Sequence, residues 1–411
     1  DDRIGVALSQ HPVTLITHIA TYKLGAAVVP ISVLFGRESV AYRIETADVN
    51  GLVTNEAFVE GLGDELDRIE TLVTVNKSPH GTGYDAIQRD TAKVMNAVET
   101  SPDDVCLILF TSGTTGDPKG VTHGHGVLAG ILPGFELMNE FPDEEAVVYT
   151  PADWAWVAGS LDTAFPAWWG GRTVVGYESK GFDPKAVFET IESHGVTHTF
   201  LTPTMLQLLS EKVPEPKAHY EIALEAIVTG GEPTSDAVFK WVSDAFSDVA
   251  LNEHYGQTEA DILLVNARSV MNDSEKGALG RPTPGHEVAV IDEEGTVLSD
   301  GEEGRIAVRT PDPVATLGYW NAPEKTEANY IDEWWDTGDM GYRDADGVFW
   351  FVGREDELII SSGYRISPAQ IERKLEEHSA VRSAVVFGVP DEKRGQIVAA
   401  AIRVRDGSND T

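Results

Sequence analysis

The most constraining feature of the chain is a strand followed at once by a loop of small residues and one lysine. Residues 105–110 read Val-Cys-Leu-Ile-Leu-Phe, and residues 111–120 read Thr-Ser-Gly-Thr-Thr-Gly-Asp-Pro-Lys-Gly. Glycine allows backbone angles closed to other residues, hydroxyls and free amides donate to phosphate oxygens, and Lys119 adds a point charge. The pattern predicts a loop that binds phosphate directly after a buried strand.

This loop differs from the P-loop of nucleotide hydrolases. That motif needs Gly-Lys followed by serine or threonine, whereas here Pro118 precedes Lys119 and Gly120 follows it. Because no hydroxyl follows the lysine to hold Mg²⁺, the metal ligand must come from elsewhere in the chain. Taken alone, a turn rich in serine, threonine and glycine is more often an ordinary solvated loop than a phosphate site.

Five further motifs follow this loop in a recognisable order. They are Gly230-Gly-Glu-Pro233, Tyr255-Gly-Gln-Thr-Glu259, Trp335-Asp-Thr-Gly-Asp339, Gly353-Arg354 and Ser361-Ser-Gly-Tyr-Arg365. With residues 111–120, this series resembles the adenylate-forming superfamily, which includes acyl-CoA synthetases, adenylation domains of peptide synthetases and firefly-type luciferases. The likeness is greatest to the acetyl-CoA and medium-chain acyl-CoA synthetases and extends over essentially the whole chain.

The resemblance implies an enzyme, an ATP-dependent acid–CoA ligase that works in two steps. A carboxylic acid and ATP give acyl-AMP and pyrophosphate, and acyl-AMP and CoA then give acyl-CoA and AMP. The implied small molecules are therefore the acid, ATP, Mg²⁺ and CoA as a co-substrate.

Composition sets the outer bounds of the fold. The chain has 411 residues, of which 42% are hydrophobic. This is longer than the length that a single hydrophobic core usually organises, so the chain should form two or three packed units. No run of eighteen apolar residues occurs, and the start has neither the basic nor the apolar part of a signal peptide, so we expect a cytoplasmic protein without membrane insertion. The single cysteine, Cys106, lies within an apolar strand and is expected to be a core residue.

The charge balance is strongly acidic. Asp and Glu number 67 against 31 Lys and Arg, a formal net charge of -36, and the acidic residues are spread along the chain. Such a charge disfavours nucleic acid and anionic membranes as partners, and in dilute buffer it would repel a nucleotide. At about 1 M salt the Debye length falls to about 3 Å, which removes that repulsion. We hypothesise a halophilic source; the oligomeric state stays open.

The pattern of apolar segments predicts an α/β fold. Helices are expected at Val13–Leu24 and from Pro203, and strands at 195–200 and 225–229, before short strands and turns dominate from about residue 285. The resemblance implies a large N-terminal adenylate-forming domain, residues 1–354 and truncated at its start, with two α/β subdomains and a β-barrel-like subdomain. Residues 355–411 are expected to be a small, mobile α+β C-terminal domain that is incomplete here.

The resemblance assigns the phosphate and adenine contacts. Those to the β- and γ-phosphates are Thr111, Ser112, Gly113, Thr114, Thr115 and Lys119. Glu259 is the implied Mg²⁺ ligand, since such an ion typically takes one or two carboxylates with phosphate oxygens, and Thr258 should reach the α-phosphate. The adenine site is expected at Gly231, Glu232, Pro233 and Tyr255, with the tyrosine ring as a stacking face, and Gly256 and Gln257 are expected to bind the nucleotide as well.

Other motifs match residues that act on the ribose and in catalysis. Asp339 and Arg354 correspond to two ribose contacts. The tripeptide Thr-Gly-Asp by itself, however, would only predict a turn at Asp339. Arg365 corresponds to an arginine that meets the ATP phosphates during adenylation. The lysine that contacts the substrate carboxylate in relatives has no counterpart up to residue 411, and we expect it beyond that residue.

The second step in such enzymes follows a rotation of the C-terminal domain. Asp356 matches the hinge position, although the residue by itself could almost equally well be an acidic surface residue without a special role. After the rotation, Ser362 and Gly363 are expected to line the tunnel that admits CoA.

The acyl pocket is implied by a third set of residues. Trp154, Trp156 and Gly159 resemble its wall, although an aromatic cluster could also be plain core. Gly230 and Gly256 stand where acetate-specific relatives carry a branched residue and a tryptophan, which predicts a deeper pocket. Since each buried methylene contributes about 0.8 kcal/mol, we expect a medium-chain or branched acid, with aryl acids next.

Two alternatives stay open from the sequence. An adenylation domain that loads a carrier protein would share every nucleotide motif, and a pseudoenzyme would bind nucleotide without releasing pyrophosphate. The histidines, including His123 and His254, show no transition-metal spacing and are expected to have structural or supporting roles.

Overall fold

A computed structural model describes most of the chain. The described residues are 2–76, 78–90, 95–111, 117–178, 181–271, 276–362, 364–376, 378, 380–391 and 393–404. They form two compact units. The large unit comprises Asp1–Ser274, Pro282–His286 and Pro311–Ala328, and the small unit comprises Glu275–Arg281, Glu287–Thr310 and Asn329–Thr411.

The strands and helices alternate along the first two thirds of the chain. The strands are β1 (Arg3–Ala7), β2 (Ala27–Pro30), β3 (Gly51–Thr54), β4 (Thr71–Thr74), β5 (Thr82–Gly83), β6 (Val105–Thr111), β7 (Lys119–Gly124), β8 (Val147–Tyr149), β9 (Thr173–Val175), β10 (His198–Phe200), β11 (Ala226–Gly230), β12 (Ala250–Gln257), β13 (Ala260–Asn266), β14 (Ala278–Pro282), β15 (Val288–Ile291), β16 (Gly304–Arg309), β17 (Gly318–Tyr319), β18 (Tyr330–Ile331), β19 (Trp334–Arg343), β20 (Phe349–Arg354), β21 (Ile359–Ser361), β22 (Tyr364–Ile366), β23 (Val381–Asp391) and β24 (Gly395–Val404).

The helices of the described residues are mostly short. They are α1 (Pro12–Lys23), α2 (Arg37–Thr46), α3 (Glu56–Gly61), α4 (Tyr84–Asp90), α5 (Val127–Gly130), α6 (Leu132–Met138), α7 (Val157–Gly159), α8 (Phe165–Trp169), α9 (Pro184–His194), α10 (Pro203–Lys212), α11 (Asp236–Ala245), α12 (Arg268–Met271), α13 (Pro323–Glu327) and α14 (Pro368–Glu376). A π-helix, Ser160–Ala164, connects α7 to α8. No helix among the described residues is long and apolar enough to cross a membrane.

The large unit contains two sheets. The first has the strand order β17-β7-β6-β2-β1-β3-β4-β5. It is parallel from β6 outward through β2, β1, β3 and β4, and antiparallel where β6 meets β7. Its centre is apolar on both faces, with Val28, Val29 and Cys106 fully buried, as a sheet covered on both sides requires. The expected core position of Cys106 is therefore confirmed.

The second sheet of the large unit positions most of the candidate site. Its strand order in this unit is β13-β12-β11-β10-β8-β9, with β9, β8, β10, β11 and β12 parallel and β13 returning antiparallel. Helices α9, α10 and α11 contribute their apolar faces to its core. The carboxyl ends of adjacent parallel strands share one edge, which is where open α/β sheets bind ligands.

Local backbone chemistry explains where one predicted strand was too long. The prediction began at Gly195, but β10 begins at His198. Gly195 has φ +60° and closes α9, with Val196 N–H donating to the Ile191 carbonyl at 2.9 Å. Residues 195 and 196 are therefore used to end the helix, as a glycine in the left-handed region typically does.

The small unit is rich in strands, as predicted for the part beyond residue 285. One sheet has the order β15-β16-β19-β20-β14, with β18 paired to β19, and a second has the order β22-β21-β24-β23. At the start of α14, the Ser367 side chain accepts a hydrogen bond from the Gln370 N–H at 3.2 Å and so caps the helix. The predicted boundary between residues 354 and 355 stays a prediction.

Candidate functional site

The predicted phosphate loop connects two paired strands. Thr111, the last residue of β6, lies opposite Lys119, the first residue of β7. Loop residues Ser112, Gly113, Thr114 and Thr115 lie outside the described residues, and Thr111 and Lys119 are both partly buried. The antiparallel pairing fixes Lys119 at the base of the loop, within the strand rather than at the tip.

A tyrosine connects the lysine to the predicted metal ligand within the large unit. The Lys119 Nζ atom lies 4.7 Å from the centre of the Tyr319 ring, a distance at which the ring face attracts a cation. The Tyr319 hydroxyl donates to Oε1 of Glu259 at 2.9 Å. We call these residues the Lys119–Tyr319–Glu259 line. The structure therefore brings together two predicted site residues that are far apart in sequence.

The neighbouring Thr258 is held through its backbone. The Nε2 atom of His123 lies 2.7 Å from the Thr258 carbonyl oxygen. Burial lowers the pKa of His123 to about 4, although the bond to the carbonyl acts in the opposite direction. The neutral ring must then carry its proton on Nε2 to donate to that oxygen. His123 is thus a supporting residue that fixes the turn before Glu259, as expected from its sequence context.

The predicted adenine residues lie at the carboxyl ends of two parallel strands. Gly230 ends β11 and is the register partner of His254 in β12, so Gly231 and Tyr255 follow at one edge of the sheet. Tyr255 is only 9% exposed. Glu232 is exposed, and its Oε2 accepts from the Thr204 hydroxyl at 2.6 Å. Pro233, Gly256 and Gln257 continue the same two segments.

The predicted acyl-pocket residues do not share one environment. Trp154 is 3% exposed, and its indole N–H has no hydrogen-bond partner among the described residues. Trp156 is 41% exposed and packs edge-on against Phe35, with ring centres 5.7 Å apart. Gly159 is buried so tightly that a Cβ there would lie 2.4 Å from the Asp153 carbonyl oxygen. Whether the two tryptophans form one pocket wall stays a prediction.

The two glycines thought to deepen this pocket lie against other protein atoms. A Cβ on Gly230 would lie 2.7 Å from Cδ2 and Nε2 of His254, and a Cβ on Gly256 would lie 2.5 Å from the Ile262 nitrogen. Glycine at position 230 therefore admits the imidazole ring of His254, and glycine at 256 admits the facing backbone.

A buried polar cluster, which sequence reasoning missed, lies beside these glycines. We call Asp162, Asp261 and His254 the buried acid cluster. Both aspartates are 2% exposed, and Nε2 of His254 lies 3.6 Å from Oδ2 of Asp162. Burial, followed by the charge and the side chain of the neighbouring Asp162, raises the pKa of Asp261 well above its usual range. Burial lowers the pKa of His254, although Asp162 acts in the opposite direction.

The predicted ribose residues lie in the small unit. Asp339 in β19 and Arg354 in β20 are register partners, and Nη1 of Arg354 lies 3.3 Å from Oδ1 of Asp339. Asp339 is 7% exposed, whereas the Arg354 side chain is 37% exposed. The structure therefore places the two predicted ribose contacts side by side, with the carboxylate buried and the guanidinium more open.

The predicted hinge residue is tied to the same arginine. Oδ1 of Asp356 lies 3.4 Å from Nε of Arg354. The preceding residue, Glu355, is ion-paired to Arg305, which also contacts Oδ2 of Asp336 at 2.6 Å. Burial is the largest single influence on the pKa of Arg305 and lowers it. The two carboxylates together outweigh burial, so the pKa of Arg305 is raised. Both ion pairs fix the segment around residue 356 within the small unit.

The remaining predicted residues lie in and beside the β21–β22 hairpin. Ser362 follows β21, and its backbone N–H donates to the Arg394 carbonyl at 2.8 Å. The backbone of Arg365 is paired with Ile360, while its side chain and Gly363 lie outside the described residues. The hairpin thus gives the positions of Ser362 and Arg365 in the small unit without testing their roles.

Comparison with known proteins identifies the chain as an adenylate-forming enzyme. The chain belongs to the AMP-binding enzyme family: the family model matches residues 1–320, and the model of the AMP-binding enzyme C-terminal domain matches residues 370–411. This confirms the resemblance to the adenylate-forming superfamily.

Individual relatives support this assignment. A mitochondrial acyl-coenzyme A synthetase of Mus musculus is 32% identical over 98% of this chain and 70% of its own length. An acetyl-coenzyme A synthetase of Bacillus subtilis is 30% identical over 99% of this chain and 72% of its own length. Among solved structures, an amide bond synthetase of Marinactinospora thermotolerans superposes with a TM-score of 0.87 at 27% identity, covering the whole chain and 81% of that protein. The predicted fold class is confirmed.

Proposed function

We propose that this protein activates a carboxylic acid with ATP and transfers the acyl group to CoA. In the first step a carboxylate oxygen attacks the α-phosphorus, and pyrophosphate leaves with the electrons of the broken P–O bond. In the second step the sulfur of CoA attacks the acyl carbon, its proton is lost, and AMP leaves. The enzyme class, acyl-CoA synthetase, matches relatives that carry that name at about 30% identity.

The observation that carries the proposal is the Lys119–Tyr319–Glu259 line. Attack of one anion on another needs positive charge on the leaving phosphates and fixed geometry at the reacting phosphorus. Lys119 supplies that charge, and the Tyr319 ring limits where its ammonium group can lie. The bond from the same tyrosine to Glu259 holds the carboxylate close to the lysine, so one residue positions both charged groups.

Glu259 fits the expected Mg²⁺. A carboxylate oxygen is the ligand type that this ion prefers, and Mg²⁺ at nucleotides usually takes one or two protein carboxylates while phosphate oxygens and waters complete its shell. Glu259 is partly exposed, and Tyr319 bonds to one of its two oxygens. No group of three His, Cys, Asp or Glu side chains in the described part of the chain could hold a metal alone. When bound, Mg²⁺ would neutralise charge on the phosphates.

The other predicted residues complete the proposal. Thr258, held by His123, is proposed to contact the α-phosphate. Asp339 would accept hydrogen bonds from both ribose hydroxyls, and Arg354 would donate to the ribose. Each assignment combines the family motif with the placement of the residue within its own unit.

The segment around Asp356 is proposed to be the hinge between the two steps. A hinge residue needs only to change its backbone angles, so it can lie away from the reacting atoms. In the proposed second step, Ser362 and Gly363 would line the path of CoA, whereas Arg365 would serve the first step.

We further propose an acid larger than acetate and a salt-rich cytoplasm as the working environment. The charge of -36 supports the second proposal, because molar salt screens repulsion between the protein and ATP.

Pyrophosphate release tests the function directly. We would follow release in about 2 M KCl with acetate, butyrate, octanoate and benzoate, each with and without CoA. Release accompanied by a CoA thioester supports the ligase. Acyl-AMP without thioester would favour a carrier-protein adenylation domain, and no release with any acid would contradict the proposal. Glu259→Gln should lower release by at least about tenfold, whereas exposed Glu225→Gln should not.

A further inference from the structure

The buried acid cluster places two carboxyl groups together in the interior of the large unit. Burial and the neighbouring Asp162 raise the pKa of Asp261 well above its usual range, as expected where two carboxyl groups share one buried place. His254 is neutral because burial lowers its pKa. No lysine or arginine of the described residues pairs with either carboxyl group. A negative charge on either carboxyl group would be costly to bury without a counter-charge.

The cluster also has unused hydrogen-bonding atoms. Oδ1 of Asp162 and Oδ2 of Asp261 have no hydrogen-bond partner among the described residues. The same is true of both ring nitrogens of His254. The His254 side chain is only 6% exposed, and its Nε2 faces Asp162. Buried polar atoms are normally paired, so several unpaired ones at one place indicate a missing partner.

Each member of the cluster adjoins a residue predicted to line the acyl pocket. Asp162 lies one turn after Gly159, in the π-helix Ser160–Ala164, a rare form that is frequent at functional sites. The ring of His254 fills the space beside Gly230. A Cβ on Gly256 would lie 3.2 Å from the carbonyl carbon of Asp261. The three side chains therefore converge behind the predicted pocket from three separate elements.

We propose that the buried acid cluster is the far end of the acyl pocket and selects acids whose carbon chain carries a protonated amine. This inference rests on the proposed acid–CoA ligase and narrows its substrate class. The carboxylate of such an acid would face ATP, and its ammonium group would enter between Asp162, Asp261 and His254.

An ammonium group fits this cluster better than the alternatives. It brings one positive charge to two buried carboxyl groups that have no lysine or arginine partner among the described residues, and its three N–H donors match the unpaired acceptors. A hydroxyl could donate to one acceptor but would bring no positive charge to the carboxyl groups. An aliphatic chain end would leave every acceptor without a partner, which is the more costly arrangement.

The test compares matched pairs of acids that differ only at the chain end. Unsubstituted acids of three to six carbons, their ω-hydroxy analogues and their ω-amino analogues would be assayed for pyrophosphate release at pH 7.5 in molar KCl. At the chain length that reaches the cluster, we expect kcat/KM for the amino acid to exceed that for the unsubstituted acid by at least about tenfold. A preference for the unsubstituted or hydroxylated acid at every length would overturn the proposal.

Variants connect the preference to the cluster. In Asp162→Asn and in Asp261→Asn, the ratio of kcat/KM for the amino acid to that for the unsubstituted acid should fall at least about tenfold. Asp248→Asn, the same change at an exposed aspartate of the large unit, should leave the ratio unchanged. An unchanged ratio in both cluster variants would contradict the proposal.

Calorimetry separates the failure of this inference from that of the proposed function. The calorimetric measurement of ω-amino acid binding uses the intact wild-type protein, so it depends neither on turnover nor on the folding of a variant. Turnover of unsubstituted acids without amine binding would refute the inference and leave the ligase standing. Amine binding without any pyrophosphate release would refute the ligase and, with it, the substrate selection, leaving only an ammonium-binding site, and the absence of both would refute both.

Discussion

Glu253 offers a quantitative test of how the candidate site is built. It lies in β12 directly before His254, and Asn266 Nδ2 lies 3.4 Å from its Oε2. Burial raises the pKa of Glu253 from its ordinary 4.5 to about 7. That gap corresponds to about 3 kcal/mol of folding free energy. The strand that carries the site therefore contains a carboxylate whose ionisation opposes folding.

The sign of this effect sets its pH dependence. Below pH 4.5 the carboxyl group is protonated in both states, so it costs nothing. Between pH 4.5 and about 7 the unfolded chain loses this proton and the folded chain retains it, so stability falls as the pH rises. Above pH 7 the full cost remains. The variant Glu253→Gln has no such proton and should be more stable by up to about 3 kcal/mol at pH 8, with no difference at pH 4.

Urea unfolding at several pH values measures this difference. The wild type and Glu253→Gln would be compared at constant KCl, with Glu225→Gln as the matched control, since Glu225 is exposed beside the start of the neighbouring strand. Only the change at 253 should raise the free energy of unfolding at high pH. A gain that is independent of pH, or an equal gain in the control, would refute the assignment of the cost to a buried carboxylate.

Three further outcomes are expected. Tyr319→Phe should lower pyrophosphate release about tenfold to a hundredfold by removing the bond to Glu259, with Tyr84→Phe as the unaffected control; equal rates would remove Tyr319 from the site. Asp356→Pro should preserve acyl-AMP formation and abolish thioester formation, and equal loss of both would exclude a hinge at this residue. Dilution from about 2 M to 0.1 M KCl should unfold the protein, because repulsion between its acidic residues is then less screened, and circular dichroism would follow the loss of structure. A fold and activity that persist in dilute buffer would contradict the halophilic proposal.

The parts of the fold that sequence predicted best are those set by local pattern. The strand before the phosphate loop was expected at 105–110 and found at Val105–Thr111, because its apolar run has no competing interpretation. The strand expected from Gly195 began later, because the end of α9 used that glycine.

The site was predictable only where it lies in contiguous motifs. Lys119 and Glu259 belong to such motifs, but Tyr319 joins them from 60 residues beyond Glu259 and stands in no motif that indicates phosphate chemistry. Likewise, nothing in the sequence around Asp162 or Asp261 indicates that the two carboxyl groups meet in the interior. Each looks like one more acid in a chain with 67 acidic residues. Burial and long-range contact decided their character.

The most direct test of the central claim follows an oxygen atom. An acid found to be turned over would be labelled with ¹⁸O in both carboxylate oxygens, and the products would be weighed by mass spectrometry after reaction with ATP and CoA. If the carboxylate attacks the α-phosphorus, the acyl–oxygen bond breaks when CoA attacks, so AMP must carry one ¹⁸O and the thioester the other. Label in inorganic phosphate, with ADP in place of AMP as the nucleotide product, would show an acyl phosphate route and contradict the account.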